Sequence, residues 1–366
     1  MVREIQLCLF ILMIGVYGPR DALAQAPAQV PMKPGVNFVL AVFAPPESVM
    51  KNAGVLSGDY EMVVTLNAID AKGISQTAYF DGTDEAGRHR RGSVPRVIRS
   101  QDIARGSVQV HGFHTTDPVV IPDTTSLGPS LAFVRRLVDH GEAPYAFRMF
   151  ANGDVISGTL RRSAGKVDFP VLINGKRTQL SALHASGHLE LKGVRSPFEM
   201  IVLDDPQHPL ALRIAYGARN EGFPFKPRFA REIARIDYPE EVSLAEGLEK
   251  DCRVEVPGLY FDFNRDTLKP QSARALQAIA EALRSESTRS VIIEGHTDDV
   301  GTDVYNDDLS RRRATTVRTA LVSGYDIKVA LLTAQGFGER RPIESNATIA
   351  GRARNRRVEI ACSPSR

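Results

Sequence analysis

The sequence predicts an α+β protein in which a β-rich N-terminal domain precedes a C-terminal domain of β-α-β-α-β order. Residues 36–237 contain β-prone stretches separated by turn residues, whereas strand-like and helix-like stretches alternate after residue 259. The length of 366 residues also suits two domains better than one, because single cores stop growing at roughly 250–300 residues.

The composition excludes several classes of protein. Apolar residues make up 43% of the chain, which is enough to build a core and excludes wholesale disorder. Lys and Arg number 46 against 43 Asp and Glu, so the formal charge of +3 predicts no strong field for nucleic acid. Three cysteines without a C-x-x-C pair argue against a disulfide scaffold and against structural zinc.

The first 24 residues have the composition of a secretory signal peptide. Arg3 precedes an apolar run at residues 7–17, and Ala22 and Ala24 are the small residues that a signal peptidase reads. The alternative is an uncleaved membrane anchor, which the shortness of the run disfavours. We therefore expect cleavage after Ala24 and export.

The remaining organisation follows from changes in composition. Residues 25–35 are rich in Pro and Ala and are predicted to be an extended spacer, and residues 238–251 are acidic and polar, typical of a linker or a short helix. The predicted domains are therefore a β-rich domain at 36–237 and a C-terminal domain at 252–362.

Loss of the signal peptide removes Cys8 and leaves Cys252 and Cys362. In an exported chain these two cysteines predict one disulfide, which would join the two ends of the C-terminal domain. The alternative, two buried free thiols, is less expected in an oxidising compartment.

Turn residues and apolar spacing predict the elements of the β-rich domain. Three hairpins are predicted, with strands at residues 60–69 and 74–80, 167–173 and 176–183, and 198–203 and 210–216. The second has Asn174-Gly175 at its turn, which suits the positive φ angles of a type I′ turn. One helix is expected at residues 131–138, with Ser130 as its N-cap and Gly141 closing it.

The C-terminal domain is predicted to alternate between strands and helices around one sheet. The predicted strands are residues 259–263, 291–294, 331–335 and 357–361, and the predicted helices are residues 270–285 and 309–323.

Three successive arginines lie in the second of these helices. Leu309, Val317 and Leu321 define its inward face, and at about 100° per residue Arg313 lies among them. Arg311 and Arg312 point to the sides and outward, so they are expected to be ordinary surface residues.

A guanidinium on an apolar face requires a partner, because it stays charged and its burial is costly. Asp298, at the end of the preceding strand, is the nearest candidate for Arg313. The pair is either a structural ion pair or a binding site. A site with both charges fits a zwitterion, whose ammonium binds Asp and whose carboxylate binds Arg through two hydrogen bonds.

The C-terminal sequence resembles the OmpA-like peptidoglycan-binding domain from about residue 259 to residue 360. The stretches that carry the resemblance are YFDFN at 260–264, GHTD at 295–298, YN at 305–306, LS at 309–310, RA at 313–314, GFGE at 336–339, NAT at 346–348, GR at 351–352 and NRRVE at 355–359. The resemblance covers under a third of the chain and implies nothing about residues 25–250.

The resemblance implies non-covalent binding of the diaminopimelate residue in the peptidoglycan stem peptide. The paired Asp and Arg of the family fall on Asp298 and Arg313. The other predicted pocket residues are Thr297, Asn306, Leu309, Asp262 and Arg356, of which Arg356 is equally well explained by a structural role at a strand edge. The resemblance also implies a periplasmic or outer-membrane location in a Gram-negative envelope. We expect no cofactor and no metal, because the sequence contains no convincing motif for either.

Two classes of function stay open for the whole protein. In the first, the C-terminal domain holds the cell wall and the β-rich domain is an adaptor that binds an outer-membrane or periplasmic protein. In the second, the β-rich domain is an envelope enzyme, or an outer-membrane β-barrel, tethered to the wall. The sequence contains no H-E-x-x-H, G-x-S-x-G or Walker-type motif, which favours the non-enzymatic reading.

Overall fold

The computed structural model describes residues 30–44, 56–84, 86–218, 227–238, 244–285 and 290–363. The predicted signal peptide, the first part of the predicted spacer and most of the polar start of the predicted linker lie outside these residues.

The N-terminal domain is built on one 13-stranded sheet. Its strands are β1 (Asn37–Ala44), β2 (Leu56–Asp70), β3 (Gly73–Asp84), β4 (His89–Arg99), β5 (Val108–Val110), β6 (Thr124–Thr125), β7 (Glu142–Arg148), β8 (Ile156–Arg162), β9 (Val167–Ile173), β10 (Lys176–Leu191), β11 (Val194–Leu203), β12 (Ala211–Ala218) and β13 (Pro227–Asp237). The strand order is β4-β3-β2-β1-β13-β12-β11-β10-β8-β7-β5-β6. Because β9 pairs with both β10 and β13, five strands of the sheet close into a ring.

The predicted hairpins are confirmed as the antiparallel pairs β2–β3, β9–β10 and β11–β12. Asn174 and Gly175 both have positive φ, as a type I′ turn requires. The predicted helix is also confirmed: α2 (Leu131–His140), which follows the short helix α1 (Ser100–Arg105), is capped by Ser130 and ends at Gly141 in the left-handed conformation.

The β-rich domain has one main core. Alternate residues of β1, Phe38, Leu40 and Val42, point into it, so the other residues of β1 face away from it. Val30 and Met32, in the segment predicted to be a spacer, pack against the same core.

The C-terminal domain has a four-stranded sheet with four helices. Its elements are α3 (Leu244–Asp251), β14 (Arg253–Glu255), α4 (Ala273–Ser285), β15 (Val291–Gly295), α5 (Asp303–Tyr325), β16 (Leu332–Gly336), α6 (Ile349–Asn355) and β17 (Val358–Cys362). The sheet order is β14-β17-β15-β16, and β15 runs parallel to β16 across the connecting helix α5. The α+β class predicted from the sequence is confirmed.

Two details of the predicted C-terminal elements are wrong. Residues 259–263 do not form a regular strand: the described backbone makes a single bridge there, between Phe261 and Leu268. Its apolar side chains pack in three directions: Leu259 and Phe261 into the core of the C-terminal domain, Tyr260 against Val39 and Val63, and Phe263 against the core of the β-rich domain. The first strand of the sheet is β14. Helix α6 was not predicted, because its sequence IAGRARN has no regular apolar stripe.

The ends of the C-terminal domain are joined by a disulfide between Cys252 and Cys362, whose Cα atoms lie 5.0 Å apart. Leu244 and Leu248 of α3, within the segment predicted to be a linker or short helix, pack into the core of this domain. Among the described residues, no helix has both the length and the apolar character needed to cross a bilayer.

The two domains share buried contacts. The outward residues of β1 and β13 meet α6 in a cluster of Ala41, Ala234, Ala350 and Ala353, and Val39 and Val63 pack with Tyr260. The guanidinium of Arg354 donates to the carbonyls of Ala234 and Pro170 in the β-rich domain.

Candidate functional site

A cavity of about 490 Å³ lies between the two domains. All seven predicted binding residues line it: Asp262, Thr297, Asp298, Asn306, Leu309, Arg313 and Arg356. They come from the loop before α4, the loop between β15 and α5, helix α5 itself and the residue that follows α6. The fold thus brings these residues to one place, and their part in binding a ligand stays a prediction.

Two glycines set the distance between helix α5 and the sheet. A Cβ at Gly295, the last residue of β15, would lie 2.2 Å from the carbonyl oxygen of Ser310 in α5. A Cβ at Gly336, the last residue of β16, would lie 2.4 Å from the backbone nitrogen of Arg311. Because neither glycine has a side chain, α5 rests directly on the strand ends, and its inward residues reach the cavity.

Asp298 lies in the loop after β15, at the end of the strand. Its carboxylate accepts a hydrogen bond from the backbone N–H of Val300 at 3.2 Å, and the side-chain amide of Asn306 donates to its backbone carbonyl at 3.2 Å. Thr302 caps the start of α5 by accepting from the N–H of Tyr305. These local bonds hold the Asp298 carboxylate, which is buried, at the wall of the cavity.

The three arginines of α5 separate as the helical spacing predicts. Arg313 is 7% exposed, whereas the Arg311 side chain is 60% exposed and bonds Asp308 at 2.6 Å. Arg312 bonds Asp266 at 2.8 Å. Only Arg313 of the three lines the cavity.

The sequence predicted Asp298 as the partner of Arg313, and the structure shows a different arrangement. Arg313 Nε donates to the carbonyl oxygen of Arg265 at 2.9 Å, and the guanidinium lies 5.1 Å from the centre of the Phe261 ring. Within the described ranges, Arg313 forms no ion pair with a carboxylate. Burial, and then repulsion from Arg356, lower the pKa of Arg313 to about 10.

Arg356 takes the place beside Asp298 that was predicted for Arg313. Its Nη1 bonds the Asp298 carboxylate, and its Nε lies 2.8 Å from Oε1 of Glu61, in strand β2 of the other domain. Burial raises the pKa of Glu61, but Arg356 and Arg235 outweigh this effect and bring it below the ordinary value. The cavity therefore contains a chain of three charges, Asp298–Arg356–Glu61, that crosses the domain boundary.

The sequence matches the OmpA family over residues 260–356. Residues 260–356 form an OmpA domain. The match begins at Tyr260 and ends at Arg356, so every predicted binding residue lies within it.

Relatives with established names match the same region of the chain. Outer membrane porin F of Pseudomonas aeruginosa is 46% identical over 99 residues, which are 27% of this chain and 28% of that protein. Outer membrane protein A of Bordetella avium is 44% identical over 107 residues, 29% of this chain and 55% of the relative. The chain thus spans between about a quarter and about half of the length of these relatives, through the OmpA domain. Their names are those of outer-membrane proteins, in agreement with the envelope location predicted from the sequence.

A solved structure also resembles the OmpA domain. The peptidoglycan-associated lipoprotein from Burkholderia pseudomallei is 34% identical to the chain, covers 29% of it and 88% of the lipoprotein, and has a TM-score of 0.27.

The β-rich domain contributes a wall of the cavity that the sequence analysis did not predict. Asp59, Tyr60, Glu61 and Asp81 line the cavity from β2 and β3. Asp81 Oδ1 accepts from the N–H of Phe263 in the OmpA domain at 2.6 Å. One feature of the sequence could have indicated this contact. Val39 and Val63 are apolar, yet strand alternation directs them away from the core of the β-rich domain. An apolar face of this kind requires another surface to cover it.

A second contact of the wall reaches the helix α6 of the OmpA domain. The carboxylate of Asp59 bonds the guanidinium of Arg352. Asp59, Glu61 and Asp81 thus place three carboxylates on the β-rich side of the cavity, where Arg235 of β13 also lines it and lies 3.5 Å from Glu61.

Glu294, His296 and Glu359 of the OmpA domain lie close enough together to hold a metal ion. The carboxylates are already paired with arginines, because Arg253 bonds Glu359 at 2.7 Å and Arg341 lies 3.3 Å from Glu294. Burial, and then the neighbouring Arg357, lower the pKa of His296 to about 4. The cluster is therefore a network of ion pairs around a neutral imidazole, and the three cationic side chains oppose a metal ion there.

Proposed function

We propose that this protein binds peptidoglycan non-covalently, through the diaminopimelate residue of the stem peptide, in the cavity between its two domains. Binding there would anchor the β-rich domain at the cell wall of a Gram-negative envelope. In this proposal the β-rich domain is an adaptor and not an enzyme.

One observation supports this proposal above the others. The cavity contains a buried guanidinium, Arg313, that has no carboxylate partner among the described residues, and a buried carboxylate, Asp298, on the same wall. A zwitterionic amino-acid end fits both groups, since its carboxylate would supply the counter-charge that Arg313 lacks and its ammonium would bind Asp298. Asp298 would then exchange its bond with Arg356 for the ammonium of the ligand, while Glu61 continues to neutralise Arg356.

The neighbouring side chains fit the same ligand. The Thr297 hydroxyl is buried and has no hydrogen-bond partner within the part of the chain that the structure describes, so it is free to bond a polar group of the ligand. Leu309 offers an apolar surface to the methylene groups of diaminopimelate. The match to the OmpA family, which spans all of these residues, also supports the proposal.

Sacculi of two chemistries test the proposal. Diaminopimelate carries a carboxylate at the end of its side chain, and lysine, which replaces it in other cell walls, lacks that group. We expect the mature protein to co-sediment with diaminopimelate-type sacculi and to bind lysine-type sacculi at least about tenfold more weakly, because the Arg313 guanidinium loses its carboxylate.

Free diaminopimelate is the matching competitor. It should release the protein from diaminopimelate-type sacculi, and lysine at the same concentration should not. Equal binding to both wall types, or failure of diaminopimelate to compete, would contradict the proposed ligand.

A further inference from the structure

The β-rich domain contains a second cavity, which shares one lining residue, Tyr60, with the cavity between the domains. Its volume is about 380 Å³, within the roughly 300–1,000 Å³ of small-molecule pockets. Most of its wall is apolar, with Val42 of β1, Met62 of β2, Phe80 of β3 and Phe229 of β13, together with Phe113. An apolar cavity of this kind accommodates an apolar group.

Arg231 also lines this cavity. It lies on the inward face of β13, opposite Val42 in β1 and Ile214 in β12, and it is 2% exposed. Its Nη1 donates to the carbonyl oxygen of His111 at 2.9 Å, and its Nη2 has no hydrogen-bond partner among the described residues. Within the same residues it forms no ion pair with a carboxylate.

Arg96, a second buried arginine in the same domain, has the carboxylate partner that Arg231 lacks among the described residues. Arg96 is 1% exposed, and it forms an ion pair with Asp117 at 2.7 Å. Burial of a guanidinium is costly unless a counter-charge and hydrogen bonds compensate it. Asp117 provides the counter-charge for Arg96. Arg231 has no carboxylate partner among the described residues, so its charge remains to be compensated by an anion.

The other polar groups around Arg231 are not anions. Burial lowers the pKa of His111 and raises the pKa of Tyr145, so both are neutral at pH 7, and they bond each other at 2.9 Å. Burial lowers the pKa of Arg231 only to about 10, which leaves it charged at pH 7.

The cavity reaches the surface on a basic side. Arg90 and Arg91 line it: Arg90 is paired with Asp84 at 3.0 Å, whereas the Arg91 side chain is 71% exposed and lies 3.8 Å from the carboxylate of Asp262. Arg91 favours the approach of an anion from solvent.

We propose that this cavity binds an amphiphilic anion, a carboxylate carried by an aliphatic chain, with the carboxylate on Arg231 and the chain against the apolar wall. The ligand supplies the counter-charge that the protein omits, and its chain fills the apolar volume. Tyr60 lines both this cavity and the wall-binding cavity, but Arg231 and Phe229 line only this one, and the proposal assigns a ligand class to the β-rich domain.

Decanoate and decanol provide a matched pair of probes, because they share the aliphatic chain and differ in the charged group. Calorimetric titration of the delipidated mature protein should give one decanoate site, with decanol binding at least about tenfold more weakly. Equal affinities for the two probes, or no binding of decanoate, would overturn the proposal. Inorganic phosphate should displace decanoate less effectively than a second aliphatic carboxylate does. Equal displacement by the two would show that the site recognises only the anion, and would overturn the role assigned to the aliphatic chain of the ligand.

Variants of the arginine test its role. Arg231→Met should lower decanoate affinity to the level of decanol, whereas Arg161→Met, a change at an exposed arginine in the same domain, should leave it unchanged. Arg231→Met should not lower the melting temperature of the ligand-free protein, since it removes an unpaired buried charge, and Arg96→Met should lower it by leaving Asp117 unpaired. Unchanged decanoate binding by Arg231→Met would contradict the proposal. If Arg231→Met does not fold, the comparison of decanoate with decanol on the parent protein still tests the proposal.

Co-sedimentation with sacculi distinguishes the proposed decanoate site from the proposed wall-binding site. Arg231→Met should co-sediment with sacculi as the parent does, and Arg313→Ala should bind decanoate as the parent does. The failure of one proposal therefore leaves the other standing.

Discussion

Glu61 Oε1 lies 2.8 Å from Arg356 Nε, so a strand of the β-rich domain holds an arginine of the OmpA domain that also bonds Asp298. The two residues are 295 positions apart in the chain. This contact places a carboxylate of one domain inside the cavity in which we propose that the other domain binds its ligand. The β-rich domain is thereby part of the proposed wall-binding site.

Glu61→Gln should weaken binding to diaminopimelate-type sacculi. Without the Glu61 carboxylate, Arg356 depends on Asp298 alone for its counter-charge, so Asp298 is less available to the ammonium of the ligand. We expect a decrease in affinity of about threefold to tenfold in a co-sedimentation titration. Glu142→Gln, at an exposed residue paired with Arg161, is the control and should have no effect. Stronger binding by Glu61→Gln would mean that Glu61 competes with the ligand for Arg356 and does not support the site.

Arg313→Ala should reduce wall binding far more than Arg311→Ala. In the proposed complex the buried Arg313 is paired with the carboxylate of the ligand, and truncating such a side chain costs about 2–5 kcal/mol, or about 30-fold or more in affinity. Arg311 is exposed and pairs with Asp308 on the surface, where an ion pair contributes about 0–1 kcal/mol. The dissociation constants of the two variants on the same sacculi measure the difference. Equal effects would refute the argument from the face of the helix.

Gly295→Ala should destabilise the OmpA domain and weaken wall binding. The new Cβ would lie 2.2 Å from the Ser310 carbonyl and force α5 away from the strand ends, which separates Asp298 from Arg313. Overpacking of this kind costs typically about 1–3 kcal/mol in unfolding free energy, measured by denaturant titration. Gly324→Ala, in the helix α5 against which Gly295 packs, is the control: no atom lies within 4 Å of its Cβ, so it should be neutral or stabilise by up to about 1 kcal/mol. A parent-like Gly295→Ala protein would show that the close contact is not needed.

The stability of the OmpA domain should fall as the pH is lowered from 6.5 towards 4. His296 has a pKa of about 4 in the folded protein against 6.5 for the free side chain, so the unfolded chain binds more protons in this window. The contribution of neutral His296 is fully present above pH 6.5, and its loss lowers the unfolding free energy by roughly 1–3 kcal/mol.

A variant isolates this contribution from that of the carboxylates. His296→Gln cannot be protonated, so the difference in unfolding free energy between the parent and the variant should shrink as the pH falls through the window. A difference that stays constant from pH 7 to pH 4 would show that His296 does not cause the pH dependence.

Several elements were predictable because a short stretch of sequence contains their cause. Asn174 and Gly175 determine the turn of one hairpin, and Ser130 and Gly141 mark both ends of α2. The helical repeat identified Arg313 as the buried arginine of three. In each case the pattern lies within a few residues and does not depend on what packs against it.

Other features depended on contacts between distant parts of the chain. Residues 259–263 have the composition of a strand, yet they are apolar because both domains bury them. Helix α6 lacks an apolar stripe, and its Ala350 and Ala353 pack against Ala41 and Ala234 of the other domain. A sequence pattern can predict that a residue is buried, but it does not identify the surface against which the residue packs.

The residues of the OmpA domain that reach the proposed wall-binding site could be predicted from the sequence, because helix periodicity and the OmpA motifs specify the faces of α5 and the loop after β15. The contribution of the β-rich domain, and the way in which the charges pair, depend on the tertiary structure. Arg356 bonds both Asp298 and Glu61, whereas Arg313 has no carboxylate partner among the described residues. The physical reason is that ion pairing depends on distances of a few ångströms between side chains. Those distances are set by the packing of two domains and not by the spacing of residues along one chain.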